Sequence, residues 1–368
     1  MRRVLRFSTA LLLATATAFA EDPPVSKAEG FGATSKGGDG GAVVKVTTLS
    51  DSGAGSLREA LAFSGPRIIR FDIDGTIDLK SPLRCTEGRV TIDGASAPGK
   101  GVTVFRHGIQ FRGDCDDIVV KQLRIRVTEG GAEGDCITMW GKDGGTIERV
   151  LIDHCSLVGA TDEGVNTWGE VHDVTVQWTI IAEGKNKADH PKGIHNYGWL
   201  SGVGSDRITI HHCLFASNMD RSPKVQGGLY DIVNNVIYNW SGNNASKIDE
   251  GARANVVGNF WIAGPRSSPD RGCVFVNDAE KGTRVFAEGN VSALTPKGTE
   301  DAWGIVTWYE GAKAHRPAPD EFRAKLRFEA PKVAAQRAAE ARELVLKRAG
   351  PKWRDAEDER ILKEAGAQ

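Results

Sequence analysis

After residue 20 the chain has no apolar run long enough to cross a bilayer as a helix, so no membrane span is expected. It has no excess of either charge: 47 Lys and Arg stand against 48 Asp and Glu, a formal −1. Duplex-binding proteins are commonly strongly basic, so nucleic acid is not an expected partner. Cysteine and histidine are few, 6 and 8, and never pair at zinc-ligand spacing. Aromatic residues make only 7% of the chain, yet 40% of it is hydrophobic and 26% charged, which is enough to bury a core. Glycine is scarce in one region only. Gly350 and Gly366 are the two beyond Gly311, although the chain holds 44. The overall share is about 12% where ~7% is usual, so a long, turn-rich β domain followed by a helical tail is expected.

Residues 1–20 have the layout of a secretory signal. Arg2, Arg3 and Arg6 precede the apolar stretch at residues 10–14, and Ala18-Phe19-Ala20 is a small-residue cleavage site. The mature protein is therefore expected outside the cell or in the periplasm, with 44 basic against 48 acidic residues, formally −4. Export also permits disulfides.

What is present in quantity is an internal repeat. Apolar residues at i, i+2, i+5 and i+7 recur at Ile118-Val120-Leu123-Ile125, Val150-Ile152-Cys155-Leu157 and Val174-Val176-Thr179-Ile181. They recur again at Ile208-Ile210-Cys213-Phe215, Tyr230-Ile232-Asn235-Ile237 and Ala254-Val256-Asn259-Trp261. Val90-Ile92 opens the series, and the stretch around Val285 and Asn290 is a further copy. Start-to-start spacings of 28, 32, 24, 34, 22 and 24 fit a base period near 23 with loops inserted in some turns. Period-2 alternation gives each strand one inward face, and the skip at i+5 marks a bend. The expected fold is an all-β solenoid of coiled parallel strands, with glycines supplying the positive φ of its corners.

Stacked turns align columns. Asn235, Asn259 and Asn290 fall below Cys155, Thr179 and Cys213 and are expected to form an inward polar ladder. His154, Trp178 and His212 share the neighbouring column and are expected to stack. Cys155 and Cys213 lie two turns apart, ~9–10 Å at ~4.8 Å per turn, beyond disulfide reach, so both should be free thiols. Cys85 and Cys115 precede strands of adjacent turns and are the better disulfide candidates. The solenoid ends need caps. Ser56-Leu57-Arg58-Glu59 reads as a capping box opening a short helix at one end. At the other, residues 332–349 and 353–365 read as helices packing on the solenoid through Leu344 and Val345. This divides the mature chain into a solenoid, residues 21–312, and a tail, residues 313–368.

Long insertions in a solenoid gather on one flank. The two longest follow the strands at 118–125 and 174–181. Between them lie Asp153, Asp162 and Asn166; the last two are i, i+4 on an extended segment and face the same way. Oxygen ligands of this kind suit a hard cation such as Ca²⁺. Nearby come the cations Lys185 and Lys192, then Arg221 and Lys224. Cations flanking carboxylates fit an acidic polymer held partly through a bridging metal.

Several motifs resemble the secreted bacterial pectate lyases of polysaccharide lyase family 1. They are residues 51–60 (DSGAGSLREA), 91–99 (TIDGASAPG), 152–156 (IDHCS), 161–163 (TDE), 233–240 (VNNVIYNW) and 354–361 (RDAEDERI). The resemblance spans roughly residues 30–365. It implies a right-handed parallel β-helix, monomeric, that cleaves de-esterified polygalacturonate by Ca²⁺-assisted β-elimination. By position it makes Asp153 and Asp162 calcium ligands and Arg221 the proton-abstracting base. Lys185 falls near the substrate-binding lysine, with Lys192 the alternative. Asn166 falls where many relatives have an acid, and Gln226 where many have a second arginine, which implies weaker calcium binding and a substrate contact that is either missing or supplied by Lys224. Two other readings stay open: a non-catalytic solenoid that binds acidic cell-wall polysaccharide, and a hydrolase acting on pectin.

Overall fold

The computed structural model describes residues 27–128, 134–142, 144–185, 193–267, 272–311 and 313–367. The signal segment and Lys192 lie outside them. Each turn of the coil adds one strand to each of three sheets. The turn beginning at Ile147–Asp153 continues through Ser156–Val158 to Glu163–Gly169. The first and third sheets have ten strands each and the second has eight. All pairings are parallel except the last in the third sheet, where Val306–Glu310 meets Lys313–His315 antiparallel. The fold is a parallel β-helix.

The columns counted from the sequence are the hydrogen-bonded register of the first sheet. Val90 pairs with Ile118, Ile118 with Val150, Val150 with Val174 and Val174 with Ile208. Ile208 then pairs with Tyr230, Tyr230 with Ala254, and Ala254 with Val285. These residues are fully buried, so one apolar column runs the length of the coil.

The polar ladder forms as expected. The backbone N–H of Cys155 donates to Thr179 Oγ1, that of Cys213 to Asn235 Oδ1, that of Asn235 to Asn259 Oδ1 and that of Asn259 to Asn290 Oδ1. Each side chain thus satisfies a bend amide that the solenoid would otherwise bury unpaired. The corner beside it is not built from glycine. His154, Trp178, His212 and Asn234 take φ values of 49 to 55°, and only Gly258 and Gly289 are glycines there. Side chains at this corner point outward and stack: His154 on Trp178 at 5.9 Å, and Trp178 on His212 at 4.3 Å. Glycine is needed instead where another segment presses on a sheet. A Cβ on Gly38 would lie 1.8 Å from the Arg67 carbonyl oxygen.

All six cysteines are free and buried. The Cys155 and Cys213 expectation holds, whereas the expected Cys85–Cys115 bridge is corrected. Cys85 Sγ accepts from the buried Arg67 guanidinium at 3.2 Å and donates to Glu87 O, while Cys115 Sγ donates to Cys85 O at 3.5 Å.

The short helix α1, Leu57–Leu61, caps the first turns with Leu57, Ala60 and Leu61 buried. Ser56 accepts from the Glu59 N–H, but Glu59 reaches Gly55 N rather than completing the box. At the other end, α2 is Ala338–Arg348, six residues shorter at its start than expected. The preceding stretch is pulled out straight by Asn234, whose amide both donates to and accepts from the Gln336 backbone. Helix α3, Ala356–Gly366, opens on an Asp355 capping box. Val345, Ile361 and Leu362 then pack on Val158, Ile180, Leu214 and Val236, the outer face of the second sheet.

The outer face of the first sheet is also covered. The amides of Phe31, Gly32 and Gly38 bond the outward Thr209, Thr175 and Thr91 hydroxyls. Further along, Asn255 pairs with the Phe328 backbone and Asp231 with Arg327. The two terminal segments thus overlay the outer faces of the first and second sheets. A groove lies on the third. Among the described residues, no helix is long and apolar enough to cross a membrane.

Candidate functional site

The groove has a volume of ≈ 600 Å³. The strands Ile137–Gly141, Glu163–Gly169, Tyr197–Ser201 and Lys224–Gln226 lie side by side beneath it. Their pairing sets Thr138, Asn166, Leu200 and Lys224 in one outward row across the floor.

At the entrance to these strands, Asp135, Asp162 and Glu163 converge, with carboxylate oxygens within 4.8 Å of one another. The backbone makes this happen. Ile137 pairs with Val165, so Asp135 and Glu163, each two residues earlier, are neighbours, and the Glu163 N–H donates to Asp135 Oδ1 at 3.0 Å. Like charges at this distance repel, and burial adds to the cost. Burial first, then the charge of Asp162, pushes Asp135 up to about 7. Burial and the Asp135 charge hold Glu163 well above the usual carboxylate range, opposed by Arg221.

Asn166 adds an amide to this cluster. Its Nδ2 donates to Glu163 Oε2 at 3.4 Å, while its buried Oδ1 has no hydrogen-bond partner among the described residues. Three carboxylates beside an orphaned carbonyl oxygen form an all-oxygen donor set, which fits a hard divalent cation and not zinc or copper.

Arg221 lies across the cluster on the next turns. Its guanidinium donates to Glu163 Oε1 and stacks on the Tyr197 ring at 3.7 Å, with His195 edge-on to that ring at 4.9 Å. Arg221 is four-fifths buried and adopts φ 55°. Lys224 lines the groove and pairs with Asp249 at 3.4 Å, and Gln226 lies two residues on.

The structure therefore brings together Asp162, Asn166, Arg221 and Lys224, and separates the rest. Asp153 ends a first-sheet strand, buried, with its carboxylate bonded to His154 Nδ1 at 2.7 Å and Gln177 Nε2 at 2.9 Å. It holds the stacked corner and does not face the groove. Lys185 packs along Gly159, its N–H on Ala160 O, at the corner before Asp162 and outside the groove lining. The residues missed were Asp135, Glu163 and Tyr197. Asp135 and Glu163 each stand two places before an inward apolar residue of the third sheet, a relation that the repeat counted from the sequence does not mark.

Fold and site together place the chain among the parallel β-helix proteins that carry a carboxylate cluster and an arginine on an open sheet face. No family model matches it. It is similar to the protein named "Probable pectate lyase C" of Aspergillus flavus, 38% identical over 244 residues, 66% of this chain and 54% of that one. The chain thus spans about half the length of the curated relatives it matches. "Pectate lyase 5" of Ambrosia artemisiifolia is 26% identical over 326 residues, 78% of each chain. Among solved structures, a pectate lyase from Bacillus sp. N165 in complex with trigalacturonate superposes with a TM-score of 0.57 at 17% identity, covering 88% of this chain and 99% of that one. The chain is thus similar to proteins named as pectate lyases and shares the parallel β-helix fold of a solved one.

Proposed function

We propose that the protein is a pectate lyase that cleaves de-esterified polygalacturonate by β-elimination, with Ca²⁺ held by Asp135, Asp162 and Glu163 and by the Asn166 carbonyl oxygen. The observation that carries this is the contact between the two halves of the site: Glu163 belongs to the carboxylate cluster and is also the ion-pair partner of Arg221. A bound cation would supply Lewis-acid stabilisation of the uronate carboxylate as negative charge develops at C5.

The chain's own residues supply the rest. Lys224 and the groove cations orient the acidic polymer. Arg221, fixed between Glu163 and Tyr197, is the group that takes the C5 proton, from its neutral form, which a cation held by Glu163 would favour by occupying the carboxylate that otherwise pairs with the guanidinium. As that proton leaves, the C4–C5 double bond forms, the C4–O bond breaks and the departing oxygen takes a proton from solvent. Burial of Tyr197 pushes its hydroxyl up, so the ring serves Arg221 as a neutral stacking surface. The similarity to the Aspergillus flavus protein named as a pectate lyase, and to the Bacillus structure holding trigalacturonate, supports this substrate class. The signal-like pattern read at residues 1–20 supports export to the periplasm or the exterior, where such a polymer is met.

A hydrolase would place two carboxylates on opposite sides of the scissile bond, ~5–9.5 Å apart. Here the acids crowd within 4.8 Å and one is paired to Arg221, which favours the lyase. The test is the absorbance of the unsaturated product on polygalacturonate. A rise that requires calcium and disappears in Arg221→Ala supports the reading. Binding without any rise selects the non-catalytic solenoid, and reducing sugar without unsaturation selects the hydrolase.

A further inference from the structure

Two residues along the strand from Asn166, roughly 7 Å along the sheet, the groove carries a feature that the proposed chemistry does not use. Trp140 and Trp168 are direct partners on adjacent strands, and Arg112 is the partner of Trp140 on the other side. All three line the groove. The Lys142 ammonium lies 5.1 Å from the Trp140 ring centre and 4.9 Å from that of Trp168, and the Arg112 guanidinium lies 5.5 Å from Trp140. Cations and indoles therefore alternate across the sheet.

The ring of Trp168 rests on backbone. Gly202 follows Ser201, the strand partner of Thr167, and a Cβ at Gly202 would lie 2.1 Å from Trp168 Cε3. Only glycine leaves room for the indole there. On the second sheet, outward apolar side chains such as Ile180 and Leu214 are covered by the C-terminal helices. These two indoles remain partly exposed in a groove, with the Lys142 ammonium beside both and the Arg112 guanidinium beside Trp140.

We propose that Trp140 and Trp168, flanked by Lys142 and Arg112, are a stacking platform for one hexuronate ring of the polymer, next to the ring that reacts. The chemistry matches on two counts. A pyranose presents a face of C–H groups that covers an indole, and a uronate adds a carboxylate for Lys142 or Arg112 to take up in place of the ring. A neutral sugar would satisfy the rings but not the cations. A fully methyl-esterified uronate would do the same. The platform therefore contributes binding and charge selection, while the cluster and Arg221 contribute the reaction. It rests on the lyase reading only for the identity of the polymer.

The test uses the mature protein and trigalacturonate. Calorimetry in Arg221→Ala, which removes turnover, should show trigalacturonate binding weakened about tenfold by a further Trp168→Ala or Trp140→Ala. Trp168→Phe should keep most of the affinity, since a smaller ring remains. Lys142→Gln should weaken trigalacturonate but leave its fully methyl-esterified form unchanged. On polygalacturonate, Trp168→Ala in the otherwise unaltered enzyme should raise KM about tenfold with kcat within about twofold, and calcium affinity should not move. Unchanged trigalacturonate affinity in both alanine variants, or equal loss of both ligands in Lys142→Gln, overturns the platform. Should Trp168→Ala fail to fold, the phenylalanine and glutamine variants decide the matter by themselves. A parent protein that binds trigalacturonate yet never yields unsaturated product defeats the lyase reading and leaves the platform to stand or fall on the binding data.

Discussion

Replacing Asn166 with aspartate changes one atom type at the centre of the site and should have opposite consequences with and without a cation. The Asn166 amide nitrogen lies 3.4 Å from Glu163 Oε2 and donates to it. In Asn166→Asp that donor becomes an oxygen of a fourth carboxylate. Two unit charges at this separation repel by about 5 kcal/mol at an effective dielectric of ~20. The protein limits the cost by taking up a proton, at 1.36 kcal/mol per pKa unit. In chelator near pH 8 the variant should therefore lose about 2–4 kcal/mol of stability relative to the parent. With calcium present the sign reverses. A charged oxygen replaces a neutral one among the donors, and calcium affinity should rise about tenfold or more, because affinity in such sites follows the ligand charge count. Urea unfolding in chelator and in calcium measures the first effect, and calorimetric calcium titration the second. Equal stability in chelator together with unchanged calcium affinity would refute both the placement of Asn166 beside a cation and the electrostatic reasoning.

Three further outcomes test the scaffold. Burial holds His212 down at about 4, and burial together with the His212 charge holds His211 well below its usual range, so both fold neutral. An unfolded histidine titrates near 6.5, so the unfolded chain binds more protons below that pH. The histidine contribution to stability should be fully present above about pH 6.5 and fall toward pH 4, His212 alone accounting for about 3 kcal/mol, while protonation of Asp135 and Glu163 works in the opposite direction; a stability difference between the parent and His212→Asn that is equal at pH 7.5 and 4.5 would contradict this. Asp358 accepts from Arg126 at 2.8 Å and from the Ser156 hydroxyl at 2.5 Å, beneath α3. Asp358→Ala should cost about 2 kcal/mol by removing the buried one of three carboxylates around Arg126, which keeps Asp355 and Glu357, and should expose the tail to limited proteolysis ahead of residue 338. Asn259 accepts from Asn235 and donates to Ile232 O and Asn290 Oδ1. Asn259→Ala should therefore lower stability by about 2–4 kcal/mol without altering the cluster, which a denaturant titration and a calcium titration check together.

Much of the coil is readable from pattern alone. Strands of the first sheet follow a bend of constant length, so Ile118, Val150, Val174 and Ile208 can be counted into register by hand, and the Asn235–Asn259–Asn290 ladder follows. The site is a harder case. Asp153 sits in a motif beside a histidine and at first sight belongs with Asp162. It stands on the first sheet of its turn, though, and its carboxylate is taken up by His154 and Gln177. Asp135 and Glu163 come from the third sheet, whose strands are separated from the counted columns by loops of differing length. No period marks them, so their adjacency appears only when Ile137 and Val165 pair. The tail shows the same limit. Residues 332–337 have helical composition, but the hydrogen bonds of Asn234 to Gln336 hold them extended.

The sequence by itself determined the coil, because an inward apolar residue every second position and a skip at each bend leave one packing solution that buries them all. It also determined the chemical inventory of the groove: oxygen donors, an arginine and lysines, with glycine reserved for the body of the coil. Tertiary structure alone decided which carboxylates meet. It did so by overlaying two outer faces with the chain ends, leaving a groove on the third sheet, and setting Asp135, Asp162 and Glu163 close enough to repel one another unless something positive lies between them.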